Sequence, residues 1–513
     1  MASGAATQCA SRAFRNIRQT TTFRERSRSG SYLIKEFTLK AITQGRAEAV
    51  TTTSAALTPS ARWAVASLSL SMLLSSLGTS IANVGLPTLA LAFGASFQQV
   101  QWVVLAYLLA ITTLIVSVGR LGDLFGRRRL LLGGILLFTL ASILCAVAPA
   151  LWLLIAARAV QGLGAAVMMA LAMTFVGETV PKARTGSAMG LLGTMSAVGT
   201  ALGPTLGGVL ISGFGWPAIF FVNVPLGMLA LWLAQRYLPA DRPRAKTGGI
   251  GFDAIGTLLL ALTLAAYALA MTTGRGSFGL LNLGLLCVSA VGVALFVRVE
   301  VRATSPLIQL ALLRDPVLGA GFLMNALVTT VVMATLVVGP FYLSGALGLD
   351  TAHAGVVLSA GPIAAALAGV PSGRLVDRWG AQRATLGGLI AMVAACSAVP
   401  LMATGFGVAG YVAALVVITA GYALFQAANN TSVMTNIQAD QRGVVSGLLN
   451  LSRNLGLVTG ASVMGAVFAL GAATTDLVSA RPEALGSGLR LAFAVSAGLT
   501  FLALAVGIRS ARR

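Results

Sequence analysis

The chain has 513 residues, of which 57% are hydrophobic and only 10% charged, against roughly 25% charged residues in an ordinary soluble domain. That excludes an aqueous globular protein and makes lipid the natural solvent for most of the chain. A formal charge of +21 would suggest nucleic acid in a soluble protein, so the positions of the basic residues decide what it means here.

Residues 1–61 are polar and basic, with Arg12, Arg15, Arg18, Arg24, Arg26 and Arg28 among many Ser and Thr. Two readings stay open for this segment: a transit peptide by composition, or a disordered cytoplasmic tail, including one translated from an upstream start. Apolar runs long enough to cross a bilayer, about 17 to 25 residues, then follow at 63–84, 100–118, 130–147, 151–176, 187–211 and 219–237. A Pro- and charge-containing linker at 239–253 precedes two more runs, 254–271 and 280–299. The last six are 317–343, 354–372, 384–402, 408–429, 444–470 and 489–508, with a short basic tail at 509–513. The runs are too long and too evenly apolar for barrel strands, so the expected fold class is an all-α integral membrane protein of fourteen spans.

If the amino terminus is cytoplasmic, every Lys and Arg except Arg158, Arg275, Arg453, Arg481 and Arg490 falls on cytoplasmic segments. Removing one span would put basic loops on both sides, so fourteen spans with both termini inside is the expected topology. The positive charge is then a cytoplasmic rim facing anionic lipid headgroups, and no nucleic acid is invoked. Trp63, Trp102, Trp152 and Trp216 stand at span starts, where interfacial anchors belong.

The four cysteines, Cys9, Cys145, Cys287 and Cys396, are far apart and imply neither a disulfide framework nor a metal site. His353 has no ligand partners in sequence. Hydrolase, kinase and P-loop motifs are absent, so no enzyme activity, metal or nucleotide cofactor is expected.

An internal repeat organises the chain. Gly119, Arg120, Leu121, Asp123, Phe125, Gly126 and Arg129, after span two, return after span ten at one constant offset as Gly373, Arg374, Leu375, Asp377, Trp379, Gly380 and Arg383. Gly190, Gly199 and Gly203 of span five return in span thirteen as Gly447, Gly456 and Gly460. The reading is two six-span halves, 62–238 and 301–508, flanking an inserted helix pair at 254–300. Two like bundles in one orientation suit a transporter that rocks about a midplane site.

On these motifs the chain resembles the major facilitator superfamily, in its fourteen-helix drug:proton antiporter branch. The stretch 119–134, with Arg128 in it, is similar to the superfamily's loop signature. Arg158, Gln161, Gly162, Gly164 and Ala165 match the R-x-x-Q-G-x-G-A signature of span four. Gly199, Gly203, Pro204, Gly207 and Gly208 match the antiporter signature G-x-x-x-G-P-x-x-G-G, and Asn223, Val224, Pro225 and Gly227 match the branch's N-V-P-x-G. Asp253 matches its acidic residue opening span seven.

The resemblance implies export of small amphipathic compounds such as drugs and antibiotics across the plasma membrane. It also implies alternating access driven by a proton gradient, with no cofactor and no protein partner. Asp123, with Arg120, Arg127 and Arg128, would form a conformational latch on the cytoplasmic side, and Arg374 with Asp377 a weaker copy. A static cap and insertion signal is the alternative for that loop. Arg158 lies inside span four, where a cation costs about 3 kcal/mol or more without a cavity or partner. Its implied role is proton handling or holding the coupling network, with Gln161 beside it, and snorkelling to the interface is the alternative. Arg453, flanked by Asn450 and Asn454, is deeper in span thirteen. The glycines of span five form a bare face for close helix packing, and Pro204 bends that helix.

The chain departs from the branch at Gly78, where the family often carries Asp before S-T-I-V-N-V-A-L-P, and at Pro217, which replaces the usual Arg after Trp216. No acidic residue falls at the middle of a predicted span. That weakens a polycation exporter and favours neutral, zwitterionic or anionic hydrophobic substrates. The alternatives are a specific exporter or importer of one metabolite on the same fold, or a membrane sensor that transports nothing.

Overall fold

A computed structural model describes residues 58–180, 185–241, 253–273, 279–303, 315–435, 442–474, 477 and 480–511. The basic segment 1–57, most of the linker after 241 and the last two residues lie outside the described residues. So do the side chains of Arg120 and Asp123.

The described residues are helical, with no β-strand among them. Among the described residues thirteen helices are long and apolar enough to cross a membrane. One of these, Ala381–Thr435, holds 55 residues, about 80 Å at the α-helical rise, more than twice a bilayer core of about 30 Å. Gly407 breaks it with φ 56° and ψ −131°. A Cβ on Gly388 would lie 2.7 Å from the carbonyl oxygen of Gly421 and 2.8 Å from the amide of Phe425, so the two arms lie side by side. Spans eleven and twelve are therefore separate crossings, and fourteen crossings return both ends of the described chain to one face, here called the terminal face.

The spans are one, Pro59–Val84; two, Phe97–Leu114; three, Arg127–Ala146; four, Leu151–Thr179; five, Thr185–Phe214; and six, which enters through a short turn at Ala218–Phe221 and runs over Asn223–Tyr237. Seven and eight are Ala254–Thr272 and Leu280–Arg302. Nine and ten are Pro316–Gly345 and Thr351–Trp379. Thirteen runs from Arg442–Thr459 through a π-helical turn at Gly460–Met464 to Gly465–Gly471, and fourteen is Pro482–Ala511.

Helix starts follow local chemistry. Ser96 and Gln99 form a capping box at span two, and Asp253, Asp315 and Asp350 cap spans seven, nine and ten, each satisfying amides that a helix start leaves open. The repeated glycines set the packing inside each half. A Cβ on Gly203 would lie 2.6 Å from that of Ser80, and one on Gly207 would lie 2.7 Å from a methyl of Val84, so span five rests on span one. Gly460 abuts Thr330 and Met333, so span thirteen rests on span nine in the same way. Gly134 and Gly164 bring spans three and four together, as Gly388 and Gly421 do spans eleven and twelve.

Span seven lies along span two. The Trp102 indole N–H donates to the Thr272 hydroxyl at 3.1 Å near one end, and Ser117 and Thr257 share a 3.0 Å hydrogen bond near the other. Span eight is the most exposed of all, only 17% buried over its apolar window. Glu300, which hydropathy leaves just beyond span eight, is the third residue from its end and is buried beside Gly256. Trp63 and Trp152 are exposed as interfacial anchors should be, whereas Trp102 makes the internal bond above and Trp216 packs on Phe93 with ring centroids 5.2 Å apart.

Candidate functional site

At the heart of the first bundle Arg158 is fully buried, which rules out snorkelling. Its three nitrogens serve three spans. Nε donates to the Val103 carbonyl of span two at 2.9 Å, Nη2 to the Gly78 carbonyl of span one at 2.9 Å, and Nη1 to Oε1 of Gln161 one turn away at 2.6 Å. Gln161 in turn donates to the Ser142 hydroxyl of span three at 2.7 Å. The guanidinium carbon sits 4.1 Å from the centre of the Tyr107 ring, a cation–π contact. Among the described residues Arg158 has no ion pair, so carbonyls, an amide and an aromatic face carry its charge.

Tyr107 also explains Gly78. Its hydroxyl donates to the Ser75 carbonyl at 2.7 Å, and a Cβ on Gly78 would lie 2.8 Å from that hydroxyl and 3.2 Å from the ring. The space an acidic side chain would need at position 78 is taken by phenol. Sequence reading saw only the missing acid. Tyr107, 29 positions along the chain, is the residue it missed, and no spacing signals it.

Span five has two working faces. Gly199, Gly203 and Gly207 face span one as described. Gly208 faces span ten of the other bundle, where a Cβ would lie 2.6 Å from the Thr351 carbonyl oxygen. Gly355 of span ten abuts the Pro204 carbonyl, and the hydroxyls of Thr205 and Ser359 are in hydrogen-bond contact. Proline at 204 and the bare glycines thus bring two bundles together at the end away from the termini. The other named contacts between the bundles lie at that same end. Thr88 reaches Thr351 at 3.5 Å, Phe97 meets Phe341 edge-on at 4.6 Å, and the Gln101 amide donates to the Ala461 carbonyl at 3.0 Å. Toward the terminal face span ten exposes Ile363, Leu367 and Val370.

On the terminal face the loop after span two forms the helix Val118–Phe125, ending at Gly126 with φ +91°. Gly119 and Arg120 belong to that helix, as does the backbone of Asp123. Gly380, its counterpart in the second half, has φ +82°, the left-handed region glycine tolerates. Arg374 and Asp377 end span ten just before it. The start of span three is capped by Asp241, which accepts from the backbone amides of Arg128 and Arg129 at 2.8 and 3.3 Å. Arg128 also donates to the Gln235 carbonyl at 2.5 Å, while Arg127 packs against Gly122. Asp241 is a second residue missed by sequence reading. Its only signal is an acid on the terminal-face side of span six.

Arg453 is only partly buried, one turn before Gly456, and its Nε is buried with no hydrogen-bond partner among the described residues. It does not join the Arg158 cluster. No group of His, Cys, Asp and Glu suited to a metal ion occurs among the described residues. His353, without a partner in sequence, meets Asp350 at 2.8 Å in the cap of span ten.

Known proteins agree with this architecture. The family model described as Major Facilitator Superfamily matches residues 68–461. The chain is 33% identical over 401 residues to the multidrug resistance protein Stp of Mycobacterium tuberculosis (strain CDC 1551 / Oshkosh), covering 76% of this chain and 72% of that one. It is 30% identical over 397 residues to the riboflavin transporter RibZ of Clostridioides difficile (strain 630), covering 77% and 86%. Among solved structures, a bacterial homologue of the human lysosomal transporter Spinster, inward-facing and unoccupied, shares the fold with a TM-score of 0.64 at 16% identity over 88% of this chain and 97% of that one. Fourteen apolar crossings in two glycine-packed halves, with a buried arginine hub and a matching family model, make this chain a membrane transporter of the major facilitator superfamily.

Proposed function

We propose that the chain exports small amphipathic compounds from the cytoplasm across the plasma membrane by alternating access, in exchange for protons. The observation that carries this reading is the placement of inter-bundle contacts at the face opposite the termini. With the basic loops assigned to the cytoplasm by the positive-inside rule, that geometry reads as an inward-open state ready to load substrate from within. Relatives named as multidrug resistance proteins support drug-like cargo, and the relative named as a riboflavin transporter supports a single-metabolite alternative.

In this reading Arg158 and Gln161 hold spans one to four as one unit while the bundles rock, and span five seals the far side through Pro204 and Gly208. Asp123, with Arg120 and Arg127, makes a contact on the cytoplasmic loop that differs between states, and Asp377 with Arg374 does so in the second half. Arg453 is the cation that faces cargo. Inverted membrane vesicles holding the protein should take up a neutral amphipathic antibiotic such as chloramphenicol only while the lumen is acidic. Uptake that survives an uncoupler unchanged would refute proton exchange, and no uptake of any compound in a broad panel would favour the non-transporting sensor.

A further inference from the structure

The internal repeat lets each half serve as a control for the other. Gly456 meets Ala326 as Gly199 meets Leu73, and Gly421 meets Gly388 as Gly164 meets Gly134. By that correspondence Asn325, Gln426, Asn430 and Arg453 take the places of Met72, Met169, Met173 and Ser196. Burial is alike in the two sets, since Asn325 and Met72 are buried while Gln426, Asn430, Met169 and Met173 are half-buried. The fold therefore accepts methionine at each position where the second half carries a carboxamide, and packing gives no reason for the polar groups.

Their geometry gives one. Asn325 is 0% exposed, and its Nδ2 donates to the Leu449 carbonyl and the Ser452 hydroxyl of span thirteen at 3.0 and 2.8 Å. A carbonyl can only accept, so the orientation of the Asn325 amide is fixed. Its Oδ1 is then a buried acceptor without a donor among the described residues, which folded proteins rarely leave so. Span twelve lies beside it, where the Asn429 amide donates to the Gly321 carbonyl at 3.2 Å. Span fourteen packs on another side of span nine, through Gly507 against Met324 and Leu485 against Gly345. Asn325 thus points between spans twelve and thirteen, away from span fourteen.

Spans nine and twelve run in opposite directions, so the steps from Gly321 to Asn325 and from Asn429 back to Gln426 reach one depth, roughly 5 Å beyond that contact. Span nine starts at Pro316, which places Asn325 about 14 Å along it at the α-helical rise, close to the middle of a bilayer core of about 30 Å. Gln426 Oε1 and Asn430 Oδ1, one turn apart on span twelve, are also buried without a hydrogen-bond partner among the described residues. So is Nε of Arg453, the residue after Ser452. Acceptor oxygens from two spans and one cation from a third therefore come to the same level.

We propose that Asn325, Gln426 and Asn430 form a cargo-recognition site carried by the second bundle alone, which takes neutral or acidic amphipaths through their N–H and O–H donors. The proposal rests on the export reading above and specifies its cargo chemistry. The amide oxygens accept from the cargo. Arg453 pairs with an acidic group where the cargo has one, and repels an ammonium group that the oxygens would otherwise accept.

Equilibrium binding to the purified full chain in lipid nanodiscs tests it, with two probes. Chloramphenicol carries hydroxyl and amide donors, whereas Nile red is a neutral amphipath with none. The variants are Gln426→Met, Asn430→Met and Asn325→Met, each installing the residue of the first half. The readout is the ratio of the two dissociation constants, which a general loosening of the fold would not move. A net hydrogen bond shifts an equilibrium roughly 2- to 10-fold, so each variant should weaken chloramphenicol relative to Nile red by that factor, and Gln426→Met with Asn430→Met by more. Asn325→Met also loses two bonds to span thirteen, so if it fails to fold the span-twelve variants decide the matter. An unchanged ratio in the span-twelve double variant, equal weakening of both probes, or a wild type that binds neither probe or Nile red alone would overturn the site. Flux in proteoliposomes separates the two readings: a ratio that shifts as expected in a protein that moves neither probe would overturn export and leave the site standing.

Discussion

Arg158 spreads its hydrogen bonds over the Val103 carbonyl, the Gly78 carbonyl and Gln161, so its planar fork reaches acceptors on three helices that one ammonium group cannot serve together. Arg158→Ala removes three buried hydrogen bonds and leaves Gln161 Oε1 without its guanidinium donor, a loss of about 1–3 kcal/mol at that group, and should lower thermal stability in detergent and abolish transport. Arg158→Lys should keep the fold and part of the flux. Wild-type flux in both variants, measured in vesicles with a pH gradient, would remove Arg158 from the coupling machinery. The motif around Arg158 and Gln161 was legible because family and helix spacing both mark it. Its partner Tyr107 was not, because the contact joins residues of two helices through a backbone carbonyl and a ring face, neither of which leaves a pattern in sequence. The Tyr107 ring has a consequence for the missing acid. Gly78→Asp alone should destabilise the protein, since its Cβ meets the phenol at 2.8 Å. Gly78→Asp with Tyr107→Ala should recover stability, as the new carboxylate replaces the ring as the neighbour of Arg158. Melting temperatures of the two singles and the double check this; additive effects would show that positions 78 and 107 do not share the site.

Among elements, span five shows how far a glycine pattern can be read. Regular spacing marked a bare face, and the crossing of span five on span one through Gly203 and Gly207 is that face. Spacing could not tell which glycine serves the other bundle, because Gly207 and Gly208 are neighbours in sequence and point to different helices. Gly203→Ala places its methyl 2.6 Å from the Ser80 Cβ and 2.9 Å from the Ile81 amide, and overpacking of this kind costs about 1–3 kcal/mol. Gly193→Ala on the same helix meets open space and should be neutral or slightly stabilising, by up to about 1 kcal/mol. Equal loss of stability and transport in both variants would show that the glycines act through helix flexibility and not through the crossing. Span ten offers a pH test at its start. Bonds from the His353 backbone and ring hold the Asp350 carboxyl below the usual carboxylate range. A depressed folded pKa contributes stability that is present above the ordinary value and lost as pH falls through the lower one. The melting difference between wild type and Asp350→Ala should therefore hold at neutral pH and vanish only in strong acid; a difference independent of pH would refute the cap.

For the whole molecule, hydropathy and the repeat were enough to read fourteen spans, since each crossing must satisfy its own backbone in lipid and the glycine pairs 134/164 and 388/421 close each half alike. The π-turn and the Asp241 cap escaped that reading, because each depends on residues more than a hundred positions apart meeting at one point. The same long-range view bears on cargo. Arg158 is saturated by the protein, while Arg453 keeps a buried Nε without a partner among the described residues, and no acidic residue sits at the centre of a described span. A dication entering between the bundles would shed water without meeting an anion and would be repelled by Arg453. Neutral compounds lose little there, and an acidic amphipath gains a partner for its carboxylate. In a pump-deficient host the protein should thus protect against neutral and acidic hydrophobic compounds at least about tenfold better than against dicationic dyes and biguanides, a ratio equal to about 1.4 kcal/mol. Arg453→Gln should remove protection against the acidic compounds and leave the neutral ones unaffected. Strong protection against dications by the wild type, or acidic compounds still exported by a normally abundant Arg453→Gln protein, would show that recognition of charge in this transporter lies elsewhere than in Arg453.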